Sequence, residues 1–314
     1  MAKKSKGQIW VEYAAAKLIL DFFTLLPRKA AIRAATLLAM TVYRVAGGLR
    51  RTGLRSLEIA FPEKSPRERE GLLRESFESL GRVLGELSQF PKYTREDLAE
   101  MFDFEFMFNS MERDKFEQKK AEGNHRGTIF VGPHHGNWEI GVFAFSALER
   151  PFHYLARPLD NPKIEDMIVS LRTRFGNQPI NKRNSVGASM EVLKREDDGL
   201  GVLPDVNVQR KDGVFVPFFG VQACTTSGVA LLAIRMNSLI VPMSCVWDKE
   251  TGKYKVLFGE IIAPVRTGDR HQDIIQTTAL YTAEIEKFVR AYPGQWMWVH
   301  KRWKTRPEGE AELY

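Results

Sequence analysis

Residues 130–143 read FVGPHHGNWEIGVF and place His134, His135 and Glu139 between apolar runs. A neutral imidazole steadied by a carboxylate is a general base for a hydroxyl group near neutral pH. Asn137 is a good N-cap, so a helix is expected to begin there, with both histidines in the preceding turn. His135 and Glu139, four apart, share a helix face only if both are helical. His134 and Glu139, five apart, lie about 140° from each other on a continuous helix and meet only across a loop–helix junction, which Pro133 and Gly136 supply. No serine stands in a GxSxG turn, so the attacking hydroxyl would belong to the substrate. The alternative is a pair of turn histidines with satisfied hydrogen bonds.

The elements that must position these groups follow from patterning. From Gly127 onward, short apolar runs (GTIFVGP, FHYLAR, LGVLPD, SLIVPMSCVW, KYKVLFGEII) alternate with helical stretches (residues 137–148, 162–175, 185–196, 226–236 and 271–291). This alternation predicts an α/β domain, a mostly parallel sheet with helices on its faces. In such sheets the chemistry sits beyond the carboxyl ends of the strands. Three strand ends run into His134 and His135, into Arg157 and into Asp205, which brings imidazole, guanidinium and carboxylate towards one edge. Residues 62–120 read as helical and highly charged, with Ser65 as an N-cap and Pro66 at the first helical position.

The chain carries 46 Lys+Arg against 39 Asp+Glu, a formal +7, within 314 residues of 44% hydrophobic content, ample for a sizeable core. Residues 1–60 hold eleven Lys/Arg and three Asp/Glu, +8 in total, so the remainder is close to −1. That segment is apolar and helix-favouring, and its longest uncharged run is the ten residues AATLLAMTVY, about half of what a membrane-spanning helix needs. Glu12, Lys17 and Asp21 interrupt what would be the apolar region of a signal peptide. Residues 1–60 are therefore expected to be a basic amphipathic helical segment that meets an anionic membrane surface, and residues 61–314 a single catalytic domain. The alternative for the segment is a helical hairpin packed on its own domain. Two cysteines without CxxC spacing suggest neither a disulfide framework nor a zinc site.

HHGNWE, together with ARPLDNPKIEDMIVSLRTRFG, LPDVNVQRKDGVFVPFFGVQACTTSGVALLA and YPGQWMWVHKRWKTRP, resembles the bacterial lipid A late acyltransferases of lauroyl/myristoyl type and their relatives that acylate phosphatidylinositol mannosides. The resemblance covers roughly residues 50–306. It implies a glycerol-3-phosphate-acyltransferase-like α/β fold and transfer of a fatty acyl chain from a thioester, on acyl-carrier protein or coenzyme A, to a hydroxyl of a membrane glycolipid. No further cofactor is implied. The family's His-x4-Asp/Glu pair falls on His134 and Glu139, its arginine on Arg157 and its later acidic residue on Asp205. On this reading His134 takes the acceptor proton and Glu139 orients the imidazole. Arg157, or backbone N–H groups near Asn137 and Trp138, would meet the oxyanion, and Asp205 would hold the acceptor sugar. The expected location is the cytoplasmic face of the bacterial inner membrane, as a peripheral protein.

Rival readings use the same residues. His134, His135, Glu139 and Asp205 would be the ligands of a metal-dependent hydrolase, or the histidine turn would be structural in a non-enzymatic membrane-binding protein. Cys224, placed just before an expected helix start, would allow a covalent acyl-cysteine route. The C-terminal QWMWVHKRW suits a membrane interface or phosphate, unless its tryptophans close the core. No nucleic-acid motif and no nucleotide-binding glycine loop is present.

Overall fold

The computed structural model describes residues 4–103, 110–181, 185–195 and 198–314. Helices α1 (Lys6–Leu25), α2 (Arg28–Val45), α3 (Gly47–Ala60), α4 (Pro66–Gln89), α5 (Arg95–Met101) and α6 (Ser110–Glu122) precede the sheet. Ser65 caps α4 as its sequence predicts: the Ser65 hydroxyl accepts from the Glu68 amide, and the Glu68 carboxylate accepts from the Ser65 amide.

The six-stranded sheet runs β3–β2–β4–β1–β7–β8. Strand β1 (Thr128–Val131), buried at all four positions, lies parallel between β4 (Gly199–Val202) and β7 (Leu239–Asp248). Strands β2 (His153–Ala156) and β3 (Gln178–Asn181) extend the parallel part, and β8 (Lys253–Phe258) closes the other edge antiparallel to β7. Helices α7 (Trp138–Leu148), α8 (Pro162–Arg172), α9 (Ser185–Leu193), α10 (Gly228–Met236) and α11 (Arg270–Ala291) complete the α/β layers. The chain leaves β1 through α7 towards β2, and leaves β4 towards β7 on the opposite side. Neighbouring strands whose exits diverge open a crevice above their carboxyl ends.

Two elements depart from the sequence patterning. The tetrapeptide QPIN forms β3, and β5 (Gly213–Phe218) pairs with β6 (Val221–Thr226) in a separate hairpin. Its two-residue turn places both Phe219 and Gly220 at positive φ, 54° and 74°, as the twist of a tight hairpin requires. Cys224 consequently lies inside β6, fully buried, and not at a helix start. The C-terminal tryptophans face inward: Trp296, Trp298 and Trp303 join Leu57, Leu73 and Phe218 in the main core.

The N-terminal helices are packed on the rest of the chain. The Thr24 hydroxyl donates to the Ser88 carbonyl (2.8 Å), and the Gln89 amide donates to the Phe23 carbonyl (2.7 Å), which ties the end of α1 to α4. The start of α1 meets α8, where the Asn161 side chain donates to the Ile9 carbonyl (2.9 Å). Helix α2 lies against α4 at backbone distance: a Cβ on Gly81 would stand 2.5 Å from the Thr36 Cα, and one on Gly85 2.7 Å from the Ile32 Cα. Among the described residues no helix is long and apolar enough to cross a membrane.

Gly81→Ala is expected to destabilise the protein by about 1–3 kcal/mol, the usual cost of overpacking a closed contact. Gly71→Ala, in the same helix with open space around its Cα, should stabilise by up to about 1 kcal/mol through helix propensity. Urea denaturation of the two variants checks this, and equal midpoints would show that α2 does not need close approach to α4.

Candidate active site

Asn137 caps α7, its side-chain oxygen accepting from the Ile140 amide (3.1 Å), so the histidines occupy the turn between β1 and α7. This turn is held from two sides. The Gly136 amide donates to the Gln295 carbonyl (2.9 Å), the Asn137 amide to the Cys245 carbonyl (2.8 Å), and the Met297 amide to the His134 carbonyl (3.1 Å). Gly136 has φ +59°, and a Cβ there would lie 2.0 Å from the Cys245 oxygen, so only glycine fits.

In parallel register, Val131 of β1 stands opposite Val202 of β4. His134 and Asp205 each follow three residues later, and they meet. His134 Nδ1 lies 2.8 Å from Asp205 Oδ1, and the His134 amide donates to Asp205 Oδ2 (2.8 Å). Trp296 Nε1–H donates to the same Oδ2 (2.9 Å). Burial disfavours the Asp205 anion, but His134 and these donors outweigh it and hold its carboxyl well below the usual carboxylate range. An ionised carboxylate only accepts, so Nδ1 carries the proton and Nε2 keeps the lone pair. Nε2 has no hydrogen-bond partner among the described residues, and the side chain is 23% exposed. Burial presses the His134 pKa down, yet Asp205, helped by Glu139, raises it above the usual histidine value.

The motif spacing pairs His134 with Glu139; the structure corrects this. Glu139 is gripped by Arg172 at the end of α8, Nε to Oε2 at 2.8 Å and Nη2 to Oε1, and it also accepts from Trp138 Nε1–H (3.1 Å). Trp138 in turn packs against His134 in a T-shaped arrangement, centroids 5.2 Å apart. Glu139 therefore shapes the site through α8 and Trp138, while Asp205 holds the imidazole. Asp205 is buried, and both its oxygens accept hydrogen bonds from His134 and Trp296, so the contacts it makes within the chain hold the imidazole. Asn137 is likewise committed, to the α7 cap and to the Tyr254 hydroxyl (3.2 Å), and the Gly136 and Asn137 amides are already paired. Arg157 reaches the expected sheet edge, one residue past β2, but turns to Asp160 (3.2 Å) with its side chain 67% exposed.

His135 is fully buried, with Nε2 2.9 Å from the Tyr292 carbonyl and Nδ1 2.9 Å from the Ser244 hydroxyl. A carbonyl only accepts, so Nε2 is the protonated nitrogen and Nδ1 accepts from Ser244. Burial lowers its pKa to about 4. With both nitrogens spent, His135 has none to offer a metal, and among the described residues no cluster of three or more His, Cys, Asp or Glu is arranged to hold one. Burial pushes the Cys224 thiol up, opposite to what a covalent acyl carrier needs. Patterning does not find Arg172 or Trp296 as site residues, since neither lies near the histidines in sequence.

The whole of this arrangement lies inside one family match, to the bacterial lipid A biosynthesis acyltransferases, over residues 3–305. The chain belongs to that family. It is 31% identical over 288 residues to the lipid A biosynthesis lauroyltransferase of Escherichia coli K12, covering 87% of this chain and 88% of that one. It is 30% identical over 261 residues to the palmitoleoyltransferase of the same organism, with 83% and 80% covered. Against the myristoyltransferase of that organism the identity is 22% over 271 residues, with 86% and 80% covered. The acyltransferase is thus an enzyme of acyl transfer to oxygen.

His135 adds a pH dependence to the stability of this acyltransferase. Unfolded, it binds a proton near pH 6.5; folded, only near 4, so stability is lost as pH falls from about 6.5 towards 4. His134 acts in a different window, because its raised pKa adds stability that is complete below about 6.5 and lost as pH rises through the folded value. Urea midpoints should fall between pH 6.5 and 5, with a shallower slope in His135→Gln. An unchanged slope in that variant would remove His135 as the source.

Proposed function

We propose that this acyltransferase moves a fatty acyl chain from a thioester, on acyl-carrier protein or coenzyme A, to a hydroxyl of a lipid A-type membrane glycolipid. Family membership supports the acceptor class. The observation that carries the mechanism is His134, fixed at Nδ1 by Asp205 and open at Nε2. His134 Nε2 takes the proton of the acceptor hydroxyl as its oxygen attacks the thioester carbonyl carbon, and the carbonyl electron pair moves onto oxygen. Collapse of the tetrahedral adduct breaks the C–S bond, and the leaving thiolate recovers the proton from Nε2. Asp205 stabilises the imidazolium formed between these steps, and the Glu139–Arg172 pair with Trp138 keeps the ring in place. The amide of Trp138, the first residue of α7 and so without an intrahelical acceptor, would offer one hydrogen bond to the oxyanion in this scheme. Arg157, on the rim, is assigned to substrate contact.

The reading includes a peripheral place on the cytoplasmic face of the inner membrane. Val11, Leu18, Phe22 and Leu25 are all exposed, and at 100° per residue they fall within about 60° of the α1 circumference. Such a stripe among the N-terminal cations suits an anionic bilayer surface, which combines apolar burial with charge attraction.

His134→Ala should lower turnover by about 10²- to 10⁴-fold with the fold intact. Asp205→Asn should also lower it and, because Asp205 raises the His134 pKa, move the acid limb of kcat/KM to lower pH. Kinetics on lauroyl-coenzyme A and a lipid A-type acceptor in mixed micelles check both, and an unmoved limb in Asp205→Asn would refute the pairing as the tuning device. Co-sedimentation of the full chain with anionic vesicles should weaken as salt rises but persist, since screening leaves apolar burial in place. In Leu18→Asp/Phe22→Asp binding should fall at every salt concentration, and binding equal to wild type would remove α1 as the contact.

A further inference from the structure

The scheme above leaves the oxyanion of the tetrahedral adduct short of donors. The Gly136 and Asn137 amides serve Gln295 and Cys245, Arg172 serves Glu139, and the buried Arg302 guanidinium serves the Cys224 carbonyl and the Thr225 hydroxyl. A different group is set up for the task. The segment 296–305 runs beside the loop after β4 and is stitched to it: Trp296 to Asp205, His300 to Asn207, and Thr305 to both Asn207 and Val208. In this seam the Asn207 amide donates to His300 Nε2 at 2.7 Å. An amide nitrogen only donates, so Nε2 holds the lone pair and the proton of neutral His300 sits on Nδ1. Nδ1 has no partner among the described residues, and the ring is partly exposed. Asn207 is two residues from Asp205, at most about 7 Å of chain. Asp205 also holds His134, whose carbonyl receives the amide of Met297, three residues before His300.

Resting on the acyl-transfer reading, we infer that His300 donates its Nδ1–H to the thioester carbonyl oxygen as that oxygen becomes an anion, and is a second catalytic imidazole. The two histidines divide the work: Nε2 of His134 accepts a proton, and Nδ1 of His300 offers a hydrogen bond without giving its proton up. No additional atom or electron enters the reaction. Division of this kind needs different charge states, and the surroundings provide them. Burial lowers the His300 pKa to about 4 against the pull of Asp205, with Arg302 and His134 opposing protonation as well, so the ring stays neutral where His134 titrates. A neutral imidazole N–H beside a developing oxyanion leaves the Asp205 charge available to His134.

Two full-chain variants separate this role from a structural one. In His300→Gln the longer side chain can still accept from the Asn207 amide but has no donor at the Nδ1 position. In His300→Asn the side-chain NH2 stands near the Nδ1 position, while the bond to Asn207 is lost. With lauroyl-coenzyme A and a lipid A-type glycolipid in mixed micelles, His300→Gln should lose about 10²- to 10³-fold in kcat at nearly unchanged KM, with the wild-type acid limb and melting temperature. His300→Asn should melt earlier yet retain more activity per folded molecule. Equal losses, the reverse order, or a His300→Gln enzyme within about threefold of wild type would overturn the inference. A wild-type protein that moves no acyl chain would instead defeat the acyl-transfer reading itself, whatever the variants do.

Discussion

The site depends on the pairing of β1 with β4. Each strand is four residues long, and the parallel register sets Val131 against Val202, so that two loops leave the sheet side by side and deliver His134 and Asp205 to the same height. A slip of one residue in such a ladder would exchange the faces of every side chain. Leu200 and Ile129, fully buried, make that slip costly. Asp205 is nearly buried itself, which for a carboxylate is unfavourable without compensation. Compensation comes from three N–H donors, two of them from His134, so the cost of burying the anion is met by the residue it serves.

A second buried carboxylate ties helices α2 and α4 to the histidine turn. Glu86 of α4 is fully buried and accepts from Arg28 of α2 (2.6 and 3.1 Å), from Tyr93 and from the Tyr254 hydroxyl (3.0 Å). The Tyr254 hydroxyl in turn accepts from Asn137, which caps α7. A buried ion pair is weak evidence for stability, since desolvation offsets much of the attraction, and its better-attested use is to fix one arrangement among several. Here the arrangement is the seat of α2 on α4, made possible by Gly81 and Gly85, and through it the position of a helix that carries Glu139 at its first turn. Helix α2 is therefore joined to the turn that holds His134 by continuous hydrogen bonds, from Arg28 through Glu86 and Tyr254 to Asn137.

Much of the fold is legible in the sequence because it is written in local signals. Five apolar runs become strands, Asn137 and Ser65 cap the helices expected of them, and the alternation of strand and helix gives the parallel sheet. QPIN escapes notice because a proline and two amides hide a four-residue edge strand, and the β5–β6 hairpin because Phe219 occupies a turn position usually taken by asparagine or glycine. The partners within the site are less legible. His134 and Asp205 are 71 residues apart, Glu139 and Arg172 33, and Asp205 and Trp296 91. Such pairings are set by strand register and by where a distant helix ends, and neither helical spacing, which leaves the partner of Glu139 open, nor the family's His-x4-Glu motif, which names His134, contains anything of either.

The three histidines around this site show why residue type alone assigns no role. His134 and His135 are neighbours in sequence, but one faces an ionised carboxylate with a free nitrogen outward, and the other spends both nitrogens in the core. Their pKa values move in opposite directions for that reason. His300 lies far along the chain and shares the low value of His135, yet it is partly exposed and has a nitrogen to spare. Burial keeps two of the rings neutral, and only the ring held by Asp205 gains a proton within the range where enzymes work. A raised imidazole pKa is thus confined to one ring because a single buried carboxylate, placed by the β1–β4 register, sits against that ring and not the others.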